Sequence, residues 1–109
     1  MNDRLGIVHG VWLSPRNIAQ IADAGACVVH NPISNLKLKS GIAPILDLYR
    51  AGIDIALGCD NCSCAETQNI FTAMRMLCLR CPADFFRSPD SRSRHEKGIG
   101  RRSGLAFVI

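Results

Sequence analysis

Three ionisable residues stand where apolar runs stop: His9, His30 and Asp60. An imidazole takes or gives a proton near neutral pH, and a carboxylate accepts a proton from an attacking water or holds a divalent cation. The cysteines carry a second possibility. Cys59, Cys62, Cys78 and Cys81 literally follow the spacing of a four-cysteine zinc site.

The first set acts together only if the chain brings its members to one place, and the apolar pattern supplies the means. Residues 5–9 read as a short strand ending at His9. Ser14 is placed to cap a helix that Pro15 opens, where a missing N–H costs nothing. Ile18, Ile21 and Ala22 share a helical face, and Gly25 suits the left-handed residue that closes it. The pattern then repeats. Ala26 to His30 is a second strand, Asn31 to Gly41 a polar loop, and Ile42, Ile45, Leu46 and Tyr49 a second helical stripe with Gly52 as its cap. Ile53 to Leu57 is the third strand, running into Gly58, Cys59 and Asp60. Ile70, Phe71, Met74, Leu77, Cys78 and Cys81 keep helical spacing up to Pro82. Residues 5–81 thus read as βαβαβα, an α/β unit of about three parallel strands with right-handed crossovers. Chemistry in such folds collects at the carboxyl ends of the strands, so His9, His30 and Asp60 are expected to face one site.

At 109 residues the chain is far below the roughly 250 of a complete eight-fold barrel. A hydrophobic fraction of 48% with 20% charged residues is that of a globular chain. No apolar run nears the ~18 residues of a membrane span and no leader-like segment opens the chain, so the cytoplasm is the expected compartment. The cysteines there read as thiols or metal ligands rather than disulfides. Residues 1–79 balance six Lys/Arg against six Asp/Glu, whereas residues 80–109 hold seven against three and supply the whole net charge of +4. That Ser/Arg-rich stretch, His95 included, reads as a solvated, poorly ordered basic tail at 82–109 rather than a nucleic-acid site. Within it Phe85-Phe86 is a lone aromatic pair and Leu105 to Ile109 a short apolar end.

The strings His9-Gly-Val-Trp-Leu-Ser14, His30-Asn-Pro-Ile-Ser-Asn-Leu-Lys-Leu38, Ser40-Gly-Ile-Ala-Pro44 and Leu57-Gly-Cys-Asp60 resemble the amidohydrolase superfamily, in its cytosine deaminase, guanine deaminase and chlorohydrolase-like branch. The likeness covers roughly residues 3–79. It implies that residues 1–81 are part of a TIM-type (β/α) barrel, its sixth to eighth strands. It also implies a hydrolase acting on non-peptide C–N or C–Cl bonds of a small heterocyclic substrate, with zinc or iron in the complete enzyme. By resemblance Asp60 is the metal ligand and proton acceptor, and His9 acts on the substrate as polariser or proton shuttle. His30, Asn31, Ser34 and Asn35 line the substrate side, although His30 reads equally as the organiser of the loop after it.

The sequence departs from the family at three places. The His-x-His pair and the further His that complete the family's metal site have no counterpart here, so this chain by itself is expected neither to retain the metal nor to turn over substrate. Cys59-Asp60-Asn61 stands where many members carry Thr-Asp-Gly, and the Asn61-Cys-Ser-Cys64 loop reads as a variation bearing on substrate choice. No family pattern is visible from about residue 80. Two other functions stay open: a small zinc-binding module built on the four cysteines, and an assembly partner that completes a barrel with another chain. Open sheet edges invite self-association as well as assembly. Against the zinc module, Cys78 and Cys81 fall on the apolar stripe of the last helix, so burial accounts for them. Trp12 reads as a packing residue.

Overall fold

The computed structural model describes residues 3–61, 68–81 and 105–107. Four parallel strands lie in chain order in one sheet: β1 (Gly6–Val8), β2 (Cys27–His30), β3 (Ile55–Leu57) and β4 (Leu105–Phe107). Helices α1 (Pro15–Ala24), α2 (Pro32–Lys37), α3 (Ile45–Arg50) and α4 (Ile70–Arg80) fill the connections. The strand–helix alternation read from the sequence is present among the described residues of 5–81.

The first connection follows its local signals closely. Ser14 caps α1 through a reciprocal capping box with Asn17, Pro15 occupies the first turn, and Gly25 closes the helix at φ 64°. Ile18 and Ile21 are buried. The second connection departs from the expected polar loop. Asn31 followed by Pro32 opens the short helix α2, which occupies the centre of that segment. The second stripe is also narrower than its spacing suggests, because α3 begins only at Ile45. Ile45 and Leu48 are buried, whereas Ile42 stands outside the helix, 54% exposed. In α4 the buried residues are Ala73 and Leu77, with Phe71 and Cys78 on the solvent side. The helix stops at Arg80, and Cys81 is extended, as the residue before a proline prefers to be.

Register decides which residues face the core. Ile7 pairs with Val28, Val28 with Ile55, and His30 with Leu57. Paired residues share a face, and alternation puts Val28 and His30 on the same one. Val28, Ile55 and Leu57 are essentially inaccessible and pack with Ile21, Leu48 and Leu77 from the helices. The opposite face carries smaller or half-open positions: Gly6 and Val8, Cys27 and Val29, and Ala56.

The fourth strand goes beyond the three expected. Leu105–Phe107 pairs in parallel with Ile55–Leu57, so the apolar end of the tail covers the edge that β3 would otherwise leave open. The remainder of the tail, including Phe85-Phe86 and His95, lies outside the described residues.

Because α1 depends on its first-turn cap, Ser14→Ala is expected to destabilise the chain by about 1 kcal/mol. Urea unfolding of the two proteins side by side measures this, and Ser14→Asp is expected to hold stability near the original value.

Candidate active site

The last rungs of the ladder position the candidate residues. The His9 amide donates to the Val29 carbonyl at 2.8 Å, and the Gly58 amide donates to the His30 carbonyl at 2.9 Å. Beyond those rungs the chain turns sharply at two places. His9 has φ 68° and Asp60 φ 62°, both in the left-handed region. L-residues with side chains seldom adopt that conformation, though His and Asp do so more readily than most, and it recurs at functional sites. Each turn breaks the strand alternation, which lets the two side chains approach across the end of β2.

The result is a His–Asp pair. His9 Nε2 lies 3.9 Å from Asp60 Oδ2, with the side chains 41% and 26% exposed. On the other side of the ring, His9 Nδ1 is 2.8 Å from Asn35 Oδ1. Asn35 reaches the ring from α2, where it is almost fully buried. The Asp60 carbonyl accepts from Gln68 Nε2 at 3.4 Å. Gly58 keeps the floor of this corner open. A Cβ there would collide with Asn31 Oδ1 and sit 3.3 Å from Val29 Cγ1.

The expected trio is therefore brought together in part. His9 hydrogen-bonds Asn35 on one side and faces Asp60 across 3.9 Å on the other. His30 does not join them at the surface, because its register puts it on the helix-covered face. It is 5% exposed, and its Nδ1 has no hydrogen-bond partner among the described residues. Burial, with the neighbouring His9 second, pushes the His30 pKa down to about 4, so the ring is neutral at ordinary pH. Ser34 Oγ and Asn35 Nδ2 are likewise buried, without a hydrogen-bond partner among the described residues, while Asn31 and Pro32 are buried at the start of α2. A cavity of about 250 Å³ between the α2–α3 segment and α4 reaches His30 and Asn35 from behind, but neither His9 nor Asp60 lines it. Trp12 is 87% exposed, so the packing role expected of it is corrected: the loop after β1 carries the indole into solvent.

Among the described residues no three His, Cys, Asp or Glu side chains gather as a metal site. Asp60 offers one carboxylate, His9 Nδ1 is engaged with Asn35, and His30 Nδ1 is sealed from solvent. These residues do not by themselves fit the three or four ligands that zinc takes. Cys59, Cys78 and Cys81 do not converge either, and Cys62 lies outside the described residues. Burial does not account for Cys78, contrary to its place on the expected stripe, because it is exposed. Burial, with Cys78 second, raises the Cys81 thiol, which disfavours the thiolate a metal needs.

The model of the Amidohydrolase family matches residues 1–87. A 5'-deoxyadenosine deaminase of Methanothrix thermoacetophila is 42% identical over 76 residues, covering 70% of this chain and 18% of that protein. A 5-methylthioadenosine/S-adenosylhomocysteine deaminase of Pyrococcus abyssi is 38% identical over 79 residues, covering 72% of this chain and 19% of that one. Among solved structures, an adenosine deaminase from Xanthomonas campestris with bound zinc superposes with a TM-score of 0.70 at 40% identity, over 72% of this chain and 18% of its own. An atrazine chlorohydrolase from Arthrobacter aurescens complexed with zinc gives 0.67 at 26% identity, over 88% and 20%. The chain thus spans about a fifth of the length of the relatives it matches. No helix among the described residues is long and apolar enough to cross a membrane.

Two outcomes follow from this geometry. Gly58→Ala is expected to destabilise by about 1–3 kcal/mol, since the Asn31 side chain is buried and has little room to withdraw; denaturant unfolding reads the loss. His30 sets an acid limit. Its folded pKa lies below the unfolded value, so the unfolded chain binds the proton more readily, and stability falls as pH drops from about 6.5 to about 4. The loss from this one group is at most about 3 kcal/mol. Unfolding free energies across that pH range measure it, and His30→Gln is expected to flatten the slope.

Proposed function

The chain belongs to the amidohydrolase family, and from that premise we propose that it is one sector of a (β/α) barrel, its sixth to eighth strands, contributing one side of a hydrolytic site. The single observation that carries this is the approach of His9 Nε2 to Asp60 Oδ2, 3.9 Å, across the end of an intervening strand. A carboxylate and an imidazole at that separation suit hydrolysis of a heterocyclic amine or halide. The carboxylate takes a proton from an attacking water, and the imidazole stands beside the reacting centre to relay it to the departing group. General acid–base work of this kind contributes about 10²–10⁴-fold in rate.

The relatives support the substrate class. Deaminases of 5'-deoxyadenosine and 5-methylthioadenosine and a chlorohydrolase of atrazine share an aromatic nitrogen heterocycle bearing an exocyclic leaving group. Asn31, Ser34 and Asn35 are assigned to the wall of the substrate side, and His30 to holding α2 behind that wall. Asp60 is the chain's own contribution to a metal of the kind present in the relatives' structures. The described residues do not make a coordination set, so the chemistry proposed for this chain is that of Asp60 and His9 themselves. Turnover then requires the remaining strands to be supplied by further polypeptide.

The test is complementation. The 109-residue chain with added zinc is expected to show no deamination of 5'-deoxyadenosine or 5-methylthioadenosine. Mixed with a polypeptide carrying the other barrel strands of a relative, it is expected to restore release of ammonia. Asp60→Ala in the mixture is expected to lower that activity by about 10²–10⁴-fold. Turnover by the chain alone, or equal activity with Asp60→Ala, overturns the proposal.

A further inference from the structure

We infer that Asn35 is a positioning residue, one that fixes which nitrogen of His9 faces the site. Its side-chain oxygen lies 2.8 Å from His9 Nδ1. A carbonyl oxygen only accepts, so this contact requires the proton on Nδ1. In the neutral ring the other nitrogen is then an unprotonated lone pair. That nitrogen, Nε2, is the one turned toward Asp60 Oδ2 at 3.9 Å.

The anchoring side chain is suited to this role. Asn35 is 2% exposed, and its backbone is held at both ends. Its amide donates to the Asn31 carbonyl at 3.0 Å, and its carbonyl accepts from the Ser40 amide at 2.9 Å. Pro32 starts the helix that carries it. The backbone that carries the oxygen is thus fixed, and burial confines the side chain beside the ring. The left-handed backbone at His9 turns the imidazole out of the strand alternation toward that oxygen.

The consequence is a statement about bonding polarity. Two acceptors, His9 Nε2 and Asp60 Oδ2, stand side by side at the mouth of the site. Such a pair receives a species with two hydrogens to give, such as a water or an amino group. Neutral His9 held this way does not donate from Nε2, and so does not polarise a substrate carbonyl or ring nitrogen by that route. It is an acceptor beside the carboxylate. This refinement of His9's role rests on the functional reading above, whereas the tautomer itself does not.

Long-range proton–nitrogen NMR of the uniformly labelled 109-residue chain tests it, with His9 assigned by the loss of its signals in His9→Gln. Under alkaline conditions, where imidazoles are neutral, His9 is expected to show a pyrrole-type Nδ1 and a pyridine-type Nε2. The reverse pattern in the unmodified chain overturns the inference, and that measurement needs no variant to fold. Asn35→Asp, which keeps an oxygen acceptor, is expected to preserve the pattern, and Asn35→Leu to lose it. An unchanged pattern in a folded Asn35→Leu protein also overturns it. Because the readout is spectroscopic, failed complementation leaves this inference standing, and a reversed tautomer leaves the proposed hydrolysis standing.

Discussion

The arrangement depends on the parallel register of the first three strands. Their carboxyl ends are level because β1 and β3 are both hydrogen-bonded to β2 up to its last residues, His9 to Val29 and Gly58 to His30. Slip either strand by one residue and every side chain changes face. With β3 slipped, Ile55 and Leu57 would leave the helix-covered layer, and with either slipped the turns at His9 and Asp60 would no longer approach across β2. The hydrophobic packing that holds register and the approach of His9 to Asp60 are therefore one constraint.

Much of this could be read along the chain. Ser14-Pro15 and Gly25 mark the ends of α1 by local rules, and Ile18 and Ile21 mark its buried side. The apolar runs before His9, His30 and Asp60 gave strands whose positions hold within a residue or two. The motif strings carried the family, and the match over residues 1–87 agrees with them.

What could not be read was set by tertiary contacts. His30 ends its strand as His9 does, yet alternation from Val28 places it among the helices, and a run of apolar residues does not say which face is which. The left-handed turns at His9 and Asp60 leave no pattern of their own. Helix α2 lies inside the expected polar loop, because six helical residues give too short a stripe to detect. Phe71 and Cys78 kept helical spacing without burial, because α4 rests on Ala73 and Leu77. Pairing of Leu105–Phe107 with β3 joins residues 50 positions apart (Ile55 to Leu105), a separation that no local signal spans.

The positive φ at positions 9 and 60 also governs how such a molecule drifts over generations. Glycine, asparagine, aspartate and histidine tolerate that backbone best, and branched residues tolerate it worst. The vocabulary open to Asp60 thus includes an amide of the same shape and a residue with no side chain at all. Either would remove the carboxylate while keeping the backbone geometry. At these two corners a lineage can exchange the side chain long before it loses its shape, and branched residues are the ones closed to it.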